Sequence, residues 1–162
     1  MAAFSVLAIA VASGKAGYVF LSGGKLQDWG ITVQAVRSGN ELVGFVQGLI
    51  NELRPDVVVT EDCMASTCRK GDKAKALIRS LAKLASHNGV HDVDVPRPRS
   101  FQSKYEEAEA LVTNYPEVAG HLPVRKRRIF DFEPRSMVLF EALALAQEVI
   151  NGPPMRVAAA MG

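Results

Sequence analysis

The 162-residue chain has no apolar run near the 18 or so residues that a membrane-spanning helix needs. Its N-terminus has no basic stretch ahead of the first apolar segment. That segment is interrupted by Ser13, Gly14 and Lys15, so it reads poorly as a secretory leader. Cysteine is scarce. Cys63 and Cys68 are the only two, too few for a four-ligand zinc site, and they read as reduced thiols of a cytoplasmic protein. Charge of one sign is also lacking. The formal net charge is +2, so any nucleic-acid partner must be met by local patches rather than by a global field. What the chain does have is apolar residues, at 48%, enough to build one core and to exclude global disorder.

Hydrophobic periodicity orders the elements. Residues 5–11 are almost wholly apolar, as in a strand buried on both faces. The turn "SGKAG" and the pair Gly23-Gly24 separate this run from a second and a third strand. In the third, Leu26, Trp29, Ile31 and Val33 are the candidates for burial. A helical stripe follows through Leu42, Val43, Phe45, Val46, Leu49, Ile50 and Leu53, with Asn40 as its expected N-cap and Pro55 beyond its end. "DVVVTEDC" is a fourth strand. Residues 72–87 form a helix with Ala76, Leu77, Leu81, Leu84 and Ala85 inward, ended by Asn88-Gly89. "VHDVDVPRP" is a fifth strand. Helices are expected over 100–113 and 134–150, the latter with Pro134 in its first turn. The expected order is β-β-β-α-β-α-β-α-α: an α/β domain over 1–152, with a flexible tail over 153–162. Ile9, Val58, Val59, Leu77, Leu84, Leu139 and Leu143 should surround one central sheet, with the first strand between two others.

Two phosphate-loop lookalikes fail. The motif needs Gly-x-x-x-x-Gly-Lys followed by Ser or Thr. Gly24-Lys25 has Val19 and Leu26 at the outer positions, and Gly14-Lys15 has Ile9 and Ala16.

The element order is that of the ribonuclease H-like fold, a mixed five-stranded sheet flanked by helices. Three stretches resemble RuvC-type Holliday-junction resolvases: "VLAIAVASGKAGYVFL" their first hairpin, "RPDVVVTEDC" their fourth strand with its terminal glutamate, and "LFEALALA" their last helix. The resemblance implies a Mg²⁺-dependent endonuclease that acts on branched DNA as a homodimer. Its acids would hold two metal ions, one activating water and one stabilising the leaving oxygen. Glu61 and Glu141 stand at two of the family's four acidic positions and would be the metal ligands. Ala10 stands where the first-strand acid belongs, and Val138 where a further acid precedes Glu141 by one helical turn. Asp62, Asp131 and Glu133 are nearby acids.

Each reading has a plainer rival. Glu61 also suits a solvated strand end or a helix cap. Glu141 also suits a solvent-facing acid or a partner for Arg135. The loss at Ala10 implies a scaffold weak or inactive as a nuclease, in which Ala10→Asp would raise Mg²⁺ affinity. The alternative is a non-catalytic nucleic-acid-binding module of the same fold, and a third reading is an interaction protein. Cations lie beyond three elements: Arg69, Lys70, Lys73 and Lys75 after the fourth strand, Arg97, Arg99 and Lys104 after the fifth, and Arg125, Lys126, Arg127 and Arg128 before the last helix. Such groups contact phosphates without reading sequence, and equally serve as a solvated face. Phe130 and Phe132 suit base stacking or core packing.

Overall fold

The computed structural model describes residues 4–33, 35–65, 68–97, 101, 103–123 and 136–151. Arg99, the cluster Arg125 to Arg128, Phe130, Asp131, Phe132, Glu133, Pro134, Arg135 and the 153–162 tail lie outside the described residues.

Five strands form one sheet in the order β3-β2-β1-β4-β5. They are β1 (Ser5–Ala12), β2 (Lys15–Ser22), β3 (Lys25–Thr32), β4 (Val57–Glu61) and β5 (His91–Val95). β1 is central, antiparallel to β2 and parallel to β4, as its unbroken apolar run requires. Gly23 and Gly24 both take positive φ, +61° and +79°, the backbone of a two-residue hairpin turn between β2 and β3. The helices are α1 (Gly39–Leu53), α2 (Asp72–His87), α3 (Lys104–Asn114) and α4 (Met137–Asn151).

Side-chain alternation sends the sheet's apolar residues to two faces. Leu7, Ile9, Val11 and Val58 meet Leu42, Val46, Leu77 and Leu81 of α1 and α2. Val6, Ala8, Ala10, Val57 and Val59 meet Val138, Leu139, Ala142 and Leu143 of α4, with Ala108 and Leu111 of α3 alongside. All seven residues expected around the sheet are buried.

Several local expectations are corrected. The cap of α1 is Ser38, not Asn40. Ser38 is extended and its Oγ accepts from the Glu41 backbone N–H at 3.2 Å, so the Ser-x-x-Glu spacing decides the start. Ser103 caps α3 in the same way through the Glu106 N–H, moving that helix to 104–114. Ala76 is exposed and Ile78 is buried instead, because the apolar stripe of α2 runs 77-78-81-84-85. On β3 only Leu26 is buried. Trp29 and Ile31 are half-buried and Val33 is exposed, as befits an edge strand.

Gly17 sets how closely α4 seats on the sheet. A Cβ there would lie 2.8 Å from the Val138 carbonyl oxygen and 2.9 Å from its carbon. These are backbone atoms of a helix and cannot swing aside. Gly17→Ala is therefore expected to cost about 3 kcal/mol through overpacking, read as a lower urea midpoint. An unchanged midpoint would mean that α4 is not seated against β2.

On β5, Asp92 and Asp94 sit two residues apart on one face. Burial of Asp92, then repulsion from Asp94 and the hydrogen bond between them, push the Asp92 carboxyl up to about 7. A raised acid costs nothing below the ordinary carboxylate range. The cost grows as pH rises from there to about 7 and is constant above. Asp92→Asn is thus expected to stabilise the fold at pH 8, on the order of 1 kcal/mol after solvent screening, and to do nothing at pH 4. Paired denaturation curves at the two pH values check this, and equal gains at both would contradict it.

Candidate functional site

β1 and β4 run parallel, with Ala8 opposite Val59. Two residues further along each strand, the same register brings Ala10 and Glu61 to neighbouring positions on the face that α4 covers. Across β1 from Ala10 stands Gly17, the residue on which the Val138 backbone rests. Ala10, Glu61 and Val138 therefore gather at one end of the sheet, and Glu141 follows Val138 by one turn of α4. Ala10 and Val138 are both buried, in the same apolar cluster.

Glu61 is 4% exposed, and its Oε2 has no hydrogen-bond partner among the described residues. Asp62 turns away, its side chain accepting from the Met64 N–H at 2.9 Å. That matches a neighbour in an extended chain and takes Asp62 out of the site.

Glu141 is also 4% exposed, so it is not a solvent-facing acid. Lys70 Nζ lies 3.2 Å from its Oε2 and Lys104 Nζ 3.0 Å from its Oε1. Arg97 Nη1 lies 4.0 Å from Oε1. Burial pushes this carboxyl upward. Lys70, then Lys104, then Arg97 outweigh that and hold it below the usual carboxylate range. Arg97 is itself buried and donates through Nη2 to Glu107, one turn into α3. Three segments distant in sequence thus deliver cations onto one carboxylate: the loop before α2, the loop after β5, and the first turn of α3.

These residues do not fit a two-Mg²⁺ centre. Among the described residues, the orphaned Glu61 oxygen is the feature that invites a cation. Glu141 is already neutralised by three side chains, and Ala10 and Val138 offer no ligand atom. Among the described residues no group of three or more His, Cys, Asp or Glu side chains is placed to hold a metal. Mg²⁺ gives up its water reluctantly and needs several oxygen ligands, and Glu61 together with a Glu141 already held by cations does not supply them.

Beside Glu141 opens a cavity of about 440 Å³. The β1–β2 turn, with Ser13 and Gly14, forms one wall, and the segment Arg69 to Ala74 forms the other. Lys104 and Glu141 also line it. Gly71 starts α2 with no side-chain cap.

Sequence reasoning singled out Glu61, Glu141 and Ala10, and took Lys70, Arg97 and Lys104 only as phosphate contacts; it did not anticipate their pairing with Glu141 or the part of Glu107. A signal existed: an acid inside an apolar helix implies a buried counter-charge. The sequence does not say which of many cations supplies it.

No protein-family model matches the chain, and no curated protein matches it. Solved structures do. RuvC of Thermus thermophilus in complex with Holliday junction substrate superposes with a TM-score of 0.60 at 12% identity, covering 92% of this chain and 96% of that one. A second Thermus thermophilus RuvC structure gives 0.53 at 15% identity over 92% and 97%. Fowlpox virus resolvase with Holliday junction DNA gives 0.57 at 10% identity over 91% and 99%. The chain has the ribonuclease H-like fold of RuvC and related Holliday-junction resolvases. No described helix is long and apolar enough to cross a membrane.

Proposed function

We propose that the protein is a RuvC-like scaffold that binds branched DNA, acts as a homodimer, and cleaves weakly or not at all by a metal-dependent route. The observation that carries this is the pairing of Glu141 with Lys70, Lys104 and Arg97, beside apolar Ala10 and Val138. The fold is shared with proteins solved on Holliday junctions. The acids such a nuclease uses are half replaced, and one survivor is neutralised. Binding without efficient cutting is what remains chemically available. A homodimer suits a four-way junction, whose symmetry presents two equivalent faces.

Phosphate contacts then carry most of the affinity. Replacing Arg125, Lys126, Arg127 and Arg128 together with alanine is expected to weaken junction binding roughly tenfold or more at moderate salt and to flatten its dependence on salt. Fluorescence anisotropy of a labelled four-way junction and of a duplex of the same arm sequence, across a salt series, measures both. Equal affinity of the parent for junction and duplex would reject the branched substrate. An unchanged slope in the variant would show that these cations are only a solvated face.

A further inference from the structure

The mismatch between this site and a metal centre has a positive content. We propose that the cavity beside Glu141 takes a backbone phosphodiester directly, with lysine side chains in place of metal ions. This deepens the branched-DNA reading and rests on it for the nature of the ligand.

The charge count favours an anion. Arg69, Lys70, Lys73 and Lys104 line the cavity against Asp72 and Glu141, an excess of two positive charges. Behind Glu141, Arg97 is matched by Glu107, so that pair leaves the excess unchanged. An ammonium has three donors. Lys70, which gives one to Glu141, can give another to a phosphate oxygen entering from the cavity. Glu141 thus becomes a positioning residue: it fixes the lysine heads through short ion pairs and does not touch the ligand. The first turn of α2, whose N-terminus no side chain caps, borders the same space and adds a favourable dipole to the lysine cluster. An acid at position 10 or 138 would repel a phosphate unless a metal intervened. Alanine and valine carry no such charge, so these two positions and the lysine cluster act in the same direction.

The test uses the whole protein in EDTA, with the dinucleotide dTpdT as probe and its uncharged methylphosphonate analogue as control. Backbone amide shifts are followed by NMR. The expected result is saturable movement of the Ser13, Gly14, Gly71, Asp72 and Lys73 signals with dTpdT, and none with the neutral analogue. Lys70→Ala should weaken binding roughly tenfold, the scale of one charge-assisted hydrogen bond, and Lys70→Arg should retain most of it. If Lys70→Ala does not fold, the exposed Lys73→Ala takes its place with a smaller loss in the same direction. The proposal is overturned if the neutral analogue moves the same signals, if movement requires Mg²⁺, if the cavity signals stay still, or if inorganic phosphate binds more tightly than the diester. If dTpdT binds here while junction and duplex bind equally, the branched-substrate reading fails and the phosphate site stands.

Discussion

Glu141→Gln is expected to cost about 3–5 kcal/mol of folding stability at pH 7, a fall in Tm on the order of 10 °C. The amide keeps the shape and removes the charge. Lys104, at the rim, regains water. Arg97 is 3% exposed and does not, so it keeps Glu107 as its remaining acid, with Nε and Nη1 already lacking hydrogen bonds. Removing one member of a buried ionic cluster leaves the others uncompensated, and this is why the cost exceeds the net value of the intact pairing. The pH dependence has a definite sign. A carboxyl held below its usual range stabilises the fold above that range, and the contribution is lost as pH falls through the depressed value. The parent should lose this stability in acid, and the glutamine variant should lack that part of the acid limb. Urea denaturation of both proteins from pH 7 to pH 3 measures it. A loss below about 1 kcal/mol at pH 7, the scale of an exposed pair, would mean that Glu141 is not the keystone of the cluster.

Ala10→Asp is expected to be costly for a different reason. The position is 2% exposed and packs in the cluster that contains Val138. It faces the side of the sheet where Glu61 already has an unpartnered oxygen. A second carboxylate there is desolvated and repelled, a penalty of about 3 kcal/mol or more at neutral pH without metal. Mg²⁺ should bind this variant better than the parent and return part of that stability, because the new acid and Glu61 together form a better cation site. Cleavage should not return, since Glu141 stays engaged with Lys70, Lys104 and Arg97 and a second ion finds no ligand set. Thermal unfolding with and without Mg²⁺, beside a junction-cleavage assay, reads all three effects. Full-rate cleavage by the single variant would show that the cations do not block the site. A variant as stable as the parent in EDTA would show that position 10 is not a dry, apolar place.

The scaffold was largely legible because its signals are local. The apolar run of β1, the β-branched run of β4 and the stripes of α1 and α2 each announce a period, and period decides which face is buried. The strand ends then bring positions 10 and 61 together through register alone. Boundaries were less legible where two caps competed. Asn40 and Ser38 both suit an N-cap, and the glutamate three residues beyond Ser38 decides between them. The state of Glu141 was not legible. Its partners come from positions 70, 97 and 104, each on a different segment, and nothing in sequence spacing links them to 141. Read as family positions, Glu61 and Glu141 suggest ligands for a cation. Placed in three dimensions, one of them already has its cations.

The central claim is that this fold holds branched DNA without divalent metal. The most direct measurement is the affinity of the parent protein for a labelled four-way junction in EDTA and in Mg²⁺ at matched ionic strength, with the recovered DNA run on a denaturing gel. The account predicts junction binding within a few-fold in the two conditions, tighter than to duplex in both, and intact strands after incubation with Mg²⁺. Binding that appears only with Mg²⁺, together with paired nicks in opposing strands of the junction, would contradict it.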